Sequence, residues 1–187
     1  MNDINILESN LDSYYSKKDN IIQLYEILND KNTSLRVIDW FVTNFSKKYS
    51  TYYNIYSYNN KYYKELQNPN LEYKLIKFNI YSSYKSHLKS YSKKNFDPFC
   101  RRKRLNKKYL NYNLETTLGQ LNFFKWCIDF YILDFIKKNY AKIEKDMNDN
   151  IKINNKSQKK PQKRTELSKS IYNGLNKIEG KTILYFD

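Results

Sequence analysis

The segment from Thr116 to Met147 has the clearest structural pattern in the chain. Thr117 and Gln120 have the spacing of a capping box, in which side chains satisfy backbone N–H groups at the start of a helix. Apolar residues then recur at helical spacing: Leu118, Leu121, Phe124 and Ile128. Because about 30 residues is long for one globular helix, a break is predicted at 129–131. The second helix would carry Ile132, Leu133, Ile136, Tyr140 and Ile143.

Four aromatic residues of this segment lie at positions that one helix face cannot hold together: Phe123, Trp126, Phe130 and Tyr131. The stripe from Leu118 to Ile143 is expected to be core, and some of these aromatic residues must point away from its face. Exposed aromatic side chains of this size are typical of a surface that binds a protein partner or a second copy of the chain.

Shorter patterns complete the predicted architecture. One N-terminal helix is predicted to begin at Asp19 and another to run from Ser34 to Phe45, with a strand as the alternative for the second. The tyrosine-rich stretch 52–63 around Asn59-Asn60 indicates a hairpin, and alternation over 71–82 indicates a long strand. The apolar stretch 182–186 indicates a further strand at the sheet edge. The fold class is therefore α+β, a single compact domain with a small antiparallel sheet packed with about four to five helices.

The same patterns divide the 187 residues into four parts. We expect a loose N-terminal segment at 1–18, an α+β core at 19–148, a basic flexible loop at 149–170 and a C-terminal strand at 171–187 that returns to the core sheet. The loop assignment depends on its Asn, Lys and Gln content, which supplies few apolar side chains to bury.

Positive charge is concentrated in two segments. Residues 85–108 hold ten Lys or Arg residues against one acid, Asp97, and residues 152–169 hold seven against Glu166. The formal net charge of the whole chain is +15, so these segments account for the excess. Clustered charge builds a local surface field that attracts polyanions such as nucleic acid.

The small number of cysteine and histidine residues limits the disulfide bonds and metal sites that the chain can form. Cys100, Cys127 and His87 are too few for a disulfide framework or an ordinary zinc site. No charged-then-apolar leader begins the chain and no apolar run approaches the length of a membrane span, so a soluble intracellular protein without membrane contact is expected. No cofactor and no metal site is predicted.

The Phe96-Asp97-Pro98-Phe99 turn lies between two basic arms, and two interpretations of it remain open. The aromatic rings are expected to anchor the turn in the core, with stacking on unpaired bases as the alternative. The Asp97 carboxylate is expected to pair with Arg101 or Arg102 rather than to act in catalysis.

A nuclease-like spacing is the third hypothesis. Glu72 and Lys74 would share one face of a strand, as in metal-dependent nucleases, with Asp39 as the further acid. The Glu-x-Lys spacing is common by chance in a lysine-rich chain.

Several longer motifs resemble a family of small uncharacterised proteins of large nucleocytoplasmic DNA viruses. The motifs are Asp39-Trp40-Phe41-Val42-Thr43-Asn44 with Ser46-Lys47-Lys48, Tyr91 to Lys94 with Phe96 to Arg102, Thr116-Thr117 with Gly119 to Trp126, Glu166 to Lys169, and Phe186-Asp187. The resemblance covers most of residues 35–187. It implies a viral protein located in the host cytoplasm, in the viral factory, and in the virion as a further location, and it implies no activity.

The predicted function is non-enzymatic binding of nucleic acid, with DNA favoured over RNA, in viral genome packaging or transcription. The alternative is a virion structural or assembly protein whose basic face meets an acidic protein partner. No catalytic residue is assigned, and no motif for sequence-specific readout is present. The predicted nucleic-acid-binding residues are Lys89, Lys93, Lys94, Arg101, Arg102, Lys103, Arg104, Lys107, Lys108, Lys159, Lys160, Lys163 and Arg164.

Overall fold

Helices at both ends of the described chain enclose, in sequence, two small antiparallel sheets. The computed structural model describes residues 3–30 and 33–157. Its elements are α1 Asp3–Tyr15, α2 Lys18–Asn29, α3 Leu35–Trp40, a π-helical segment Phe41–Phe45, α4 Ser46–Lys48, β1 Tyr52–Tyr58, β2 Lys61–Tyr63, β3 Lys74–Asn79, α5 Ile80–Tyr91, β4 Leu105–Tyr109, β5 Tyr112–Thr116, α6 Leu118–Asp129 and α7 Ile132–Ser157. The predicted α+β class is confirmed.

Residues Met1–Asp149 form one compact unit, and Asn150–Asp187 are assigned to a second. Of the predicted basic loop at 149–170, residues up to Ser157 are helical and belong to α7. The rest of that loop and the predicted strand at 171–187 lie outside the described residues. Within the described ranges, no helix is long and apolar enough to cross a membrane.

The three-stranded sheet has the order β2-β1-β3, with antiparallel neighbours. Asn59 and Asn60 adopt positive φ angles of 49° and 59° between β1 and β2, which confirms the predicted hairpin. The predicted strand over 71–82 is too long, because β3 ends at Asn79. The Asn79 side chain accepts a hydrogen bond of 2.8 Å from the Ser82 N–H and so caps α5, which begins where the strand was expected to continue.

The capping box and the helix break are both confirmed. The Thr117 hydroxyl accepts a hydrogen bond of 3.1 Å from the Gln120 N–H at the start of α6. The chain turns after Asp129, and Tyr131 has a φ of 58°, a conformation that a regular helix does not contain.

The α6 stripe lies in the core, as predicted, and the aromatic residues of α6 that point away from its face are also covered. Phe123 is fully buried and Trp126 is 2% exposed, because neighbouring elements cover α6 on several sides. Phe130 and Tyr131 are half-buried at the turn between α6 and α7. A helix that is buried on all sides can carry apolar residues around its whole circumference. The apolar stripe in the sequence predicts one buried face but does not show that the other faces are buried as well.

The N-terminal segment also differs from the expectation that it is loose. Residues Asp3–Tyr15 form α1, in which Leu11 and Tyr15 are buried. The Tyr15 hydroxyl donates a hydrogen bond of 2.8 Å to the Leu121 carbonyl oxygen in α6. The partners of α1 in α6 and β4 lie about a hundred residues further along the chain, so the local sequence does not show them.

Helix α7 is fixed to the α3–α4 region through one buried carboxylate. Asp146 accepts hydrogen bonds from the Trp40 indole N–H at 3.0 Å, the Lys48 ammonium at 2.5 Å and the Tyr49 hydroxyl at 3.0 Å. Burial alone would raise the pKa of Asp146, but these hydrogen bonds lower it below its ordinary value.

The variant Asp146→Ala is expected to lower the free energy of unfolding by about 2–4 kcal/mol, because the donors lose a charged acceptor in a buried position. Since the pKa of Asp146 is lowered in the folded state, its stabilisation is present above the unfolded pKa and is lost as the pH falls through the folded pKa. Urea unfolding at neutral and acidic pH measures both effects. The exposed Asp149 on the same helix provides the control variant Asp149→Ala. Equal losses in the two variants would contradict the assignment.

Candidate nucleic-acid interface

The loop after α5 is held by the first turns of α6. The Asp97 N–H donates a hydrogen bond of 3.1 Å to the Gly119 carbonyl oxygen. The Gln120 side chain donates to the Pro98 carbonyl oxygen at 2.9 Å, and the Asn122 side chain donates to the Asn95 carbonyl oxygen at 2.9 Å. The backbone carbonyl groups of an irregular loop lack the hydrogen-bond partners that a helix or sheet supplies, and buried side-chain amides of α6 donate hydrogen bonds to two of them here instead.

Phe96 anchors the centre of this loop. Its side chain is 2% exposed, and its ring centroid lies 5.2 Å from that of Phe123 and 5.5 Å from that of Trp126. The prediction that this aromatic residue is a buried anchor is confirmed. Phe99 is only half-buried, and the Arg101 guanidinium lies 4.3 Å from the centre of its ring.

The absence of a side chain at Gly119 permits the close approach of loop and helix. A Cβ atom at this position would lie 3.1 Å from the Lys94 carbonyl oxygen and 3.3 Å from the Phe96 nitrogen. Both neighbours are backbone atoms, so a larger residue would push the loop away from α6.

Most of the predicted binding residues in the first basic segment are exposed to solvent: Lys89, Lys93, Lys94, Arg101, Arg102, Lys103, Arg104 and Lys108. Among the described residues, no ion pair within 4 Å involves Lys93, Lys94, Arg102 or Lys103. The four residues predicted from the second segment, Lys159, Lys160, Lys163 and Arg164, lie outside the described residues.

Two of the exposed arginines already have acidic partners. Arg101 pairs with Asp97 at 3.4 Å, which confirms the predicted role of that carboxylate in the loop. Arg104 pairs with Glu115 of β5 at 2.5 Å. Both guanidinium groups are more than half exposed and retain free N–H donors, so each pair fixes a side chain without removing it from solvent.

Lys107 differs from its neighbours. Its ammonium lies 2.6 Å from Glu8 and 2.9 Å from Asp12, and its side chain is only 17% exposed. Burial alone would lower its pKa, but the hydrogen bonds to these carboxylates raise it, so Lys107 stays charged. Two acids of α1 occupy this cation, which therefore holds α1 to strand β4 and is not part of the exposed basic surface.

A cleft of about 400 Å³ is lined in part by the loop. Its lining combines both charge signs: Asp39, Thr43, Tyr84, Lys93, Phe96, Asp97, Pro98, Arg101 and Arg102. Burial and the nearby Asp97 charge raise the pKa of Asp39, although Arg101 and Lys93 oppose the shift. Asp39 is separated from the π-helical segment by one residue, and the sequence suggested it only as the second acid, beside Glu72, of a nuclease site.

The residues proposed for nuclease chemistry do not share a strand. Glu72 precedes β3, which begins at Lys74, and the charged groups that act on Asp39 are Asp97, Arg101 and Lys93. Over the described ranges, no three His, Cys, Asp or Glu side chains come together as a metal site.

His87 and Cys100 have separate surroundings. The His87 ring lies 5.5 Å from that of Phe96, and its Nδ1 is 2.9 Å from the Ser83 carbonyl oxygen. The Cys100 sulfur accepts a contact of 3.7 Å from Arg104. His87 therefore contributes to the aromatic cluster that anchors the loop.

Three sequence motifs thus meet at one place in the structure. Asp39 and Thr43 line the cleft, residues 93–102 form its basic side, and residues 119–126 hold that side in position. Local sequence patterns do not predict this arrangement, because the three motifs are separated in sequence and meet only through tertiary packing.

Replacing Phe96, which anchors the loop, is expected to destabilise the fold. Phe96→Ala should lower the free energy of unfolding by about 3–5 kcal/mol, since it removes a buried aromatic ring. Urea unfolding followed by circular dichroism measures the loss. The half-buried Phe99 supplies the control, and Phe99→Ala should cost clearly less. A similar loss in both variants would show that Phe96 is not the principal anchor.

Removing the Asp39 charge is expected to stabilise the fold at neutral pH. A carboxyl whose pKa is raised binds its proton more tightly when folded, so its charge is a penalty above the folded pKa and is relieved as the pH falls. Asp39→Asn should therefore be more stable than the parent protein at pH 7, and the difference should shrink in acid. Thermal unfolding across pH tests this, with Glu26→Gln as the exposed control. A difference that grows in acid would refute the assignment.

The comparisons with known proteins connect the chain to one family. Residues 1–185 match a family of unknown function, DUF7197. The chain is also similar to the uncharacterised protein L507 of Acanthamoeba polyphaga mimivirus, with 35% identity over 176 residues. That alignment covers 90% of this chain and 62% of the mimivirus protein, and it agrees with the predicted resemblance to uncharacterised viral proteins. No solved structure matches. Because the family match spans nearly the whole chain, the protein belongs to DUF7197, a family of unknown function.

Proposed function

We propose that this protein binds nucleic acid without catalysing a reaction, and that residues 93–104 form the surface that contacts phosphates. One observation carries the proposal. The loop is fixed by a buried aromatic residue and three hydrogen bonds to α6, yet it holds Lys93, Arg102 and Lys103 exposed to solvent. A preorganised set of cations loses little conformational freedom when it binds a polyanion.

Arginine and lysine have different roles in this proposal. Guanidinium groups fit phosphate oxygens with two parallel hydrogen bonds, whereas lysine contributes a point charge. Arg101 is already oriented by Asp97 and by the Phe99 ring, and its guanidinium remains largely exposed with further N–H donors to offer. Arg102 carries no such constraint and would adapt to the backbone.

The mixed charge of the cleft affects where phosphates bind. Asp39 and Asp97 would repel an anion close to them, whereas Lys93, Arg101 and Arg102 in the same lining would attract one. The phosphate backbone would therefore lie along Lys93 and Arg102. We also propose that related proteins recur in large nucleocytoplasmic DNA viruses. This protein would act in genome packaging or transcription in the cytoplasm of an infected host. DNA is the favoured ligand.

The test compares two triple variants that remove the same charge. Lys93→Ala, Arg102→Ala and Lys103→Ala remove cations of the loop, whereas Lys137→Ala, Lys138→Ala and Lys145→Ala remove exposed lysines of α7. Fluorescence anisotropy with labelled duplex DNA is measured from low to physiological salt. The loop variant should reduce the slope of log affinity against log salt by about 0.9 for each lost phosphate contact, whereas the α7 variant should keep it.

The opposite outcomes are equally informative. Equal effects of the two triple variants would mean that net charge alone drives binding. Absence of DNA binding, together with tight binding to an acidic protein, would favour a structural or assembly role for the basic face.

A further inference from the structure

The outer face of the β2-β1-β3 sheet is unusual in its chemistry. Antiparallel register places Tyr56 opposite Tyr63 on one side and opposite Leu75 on the other, so these side chains share a face. The other face is the packed one: Ile55 and Phe78 are buried there. Solvent-facing sides of antiparallel sheets are usually polar, whereas this one presents tyrosine.

The tyrosines form a cluster around Tyr73. Its ring centroid lies 6.3 Å from that of Tyr56, 5.3 Å from Tyr58 and 5.7 Å from Tyr63. All four residues remain partly accessible, and the adjacent Leu75 is 56% exposed. Ring contacts at these distances restrict the side chains, so the aromatic surface is largely preformed.

The charge of this face selects the kind of partner. Lys61 pairs in register with Tyr58, and Lys77 pairs with Asn54. The Lys77 ammonium also lies 3.7 Å from the centre of the Tyr52 ring. No acidic residue occupies an outward position of these three described strands. The strand positions of this face therefore combine aromatic rings with positive charge.

We propose that this face binds single-stranded nucleic acid by stacking unpaired bases on its tyrosines, with Lys61 and Lys77 contacting the backbone. Every base has a π-face, so such stacking needs no particular sequence. Bases in a duplex are stacked on each other and cannot reach the rings. This inference depends on the proposed nucleic-acid function and adds a strand preference to it, because the basic loop alone would contact phosphates of either form.

The experiment replaces two rings with apolar residues of similar bulk. Tyr58→Leu with Tyr73→Leu is compared with Tyr25→Leu, which changes an exposed tyrosine of α2. Circular dichroism and urea unfolding first establish that the variants fold. Anisotropy then measures binding to a labelled oligothymidine and to a duplex of equal length. The double variant should lose about fivefold or more in single-strand affinity for each stack removed and retain duplex affinity.

Each remaining result overturns the inference in a distinguishable way. Unchanged single-strand binding in the double variant, with the loop triple variant still impaired on duplex DNA, would refute the stacking face and leave the proposed function intact. A failure of the parent protein to bind either nucleic acid would refute both. Sedimentation that shows a dimer in the parent protein and a monomer in the double variant, with single-strand affinity unchanged, would assign the face to a second copy of the chain.

Discussion

The insertion of Phe96 between α5 and α6 is the interaction on which the candidate site depends. The ring fills space among Phe123, Trp126 and His87, and the backbone on each side bonds to buried groups of α6. A segment so rich in like charge would otherwise repel itself and remain extended. Apolar burial within a few residues of the charges offsets that repulsion, so a polar loop acquires a fixed shape.

Electrostatic pairing sorts the cations of the chain into two groups. One group supports the fold: Lys107 holds α1, and Lys48 bonds the carboxylate through which α7 contacts the α3–α4 region. The other group faces solvent along residues 93–104. The distinction follows from burial and from the acids within reach, and for that reason residues of the same type and in the same segment have different roles.

Sequence patterns predicted the structural features that depend on interactions between residues close in sequence. The Thr117 cap, the turn at Asn59-Asn60 and the break before Ile132 each depend on residues near in sequence, and each is confirmed. Patterns were insufficient where distant partners decide. Helix α1 packs against residues of β4 and α6, and Asp39 joins the site through tertiary packing. The end of β3 is a different case, because the Asn79 cap is local and the alternating pattern continues past it. Strand β4 begins inside the basic segment 85–108, where charged residues obscure its alternation.

The long sequence separation between α1 and its partners has a consequence during synthesis. Tyr15 bonds a carbonyl 106 residues further along the chain, and Asp12 accepts from a lysine 95 residues away. At about 5–20 residues per second, α1 waits roughly 5–20 s on the ribosome before these partners emerge. Through that interval, Leu11 and Tyr15 lack their native cover, and the segment Asp3–Tyr15 exposes apolar side chains that a chaperone can recognise.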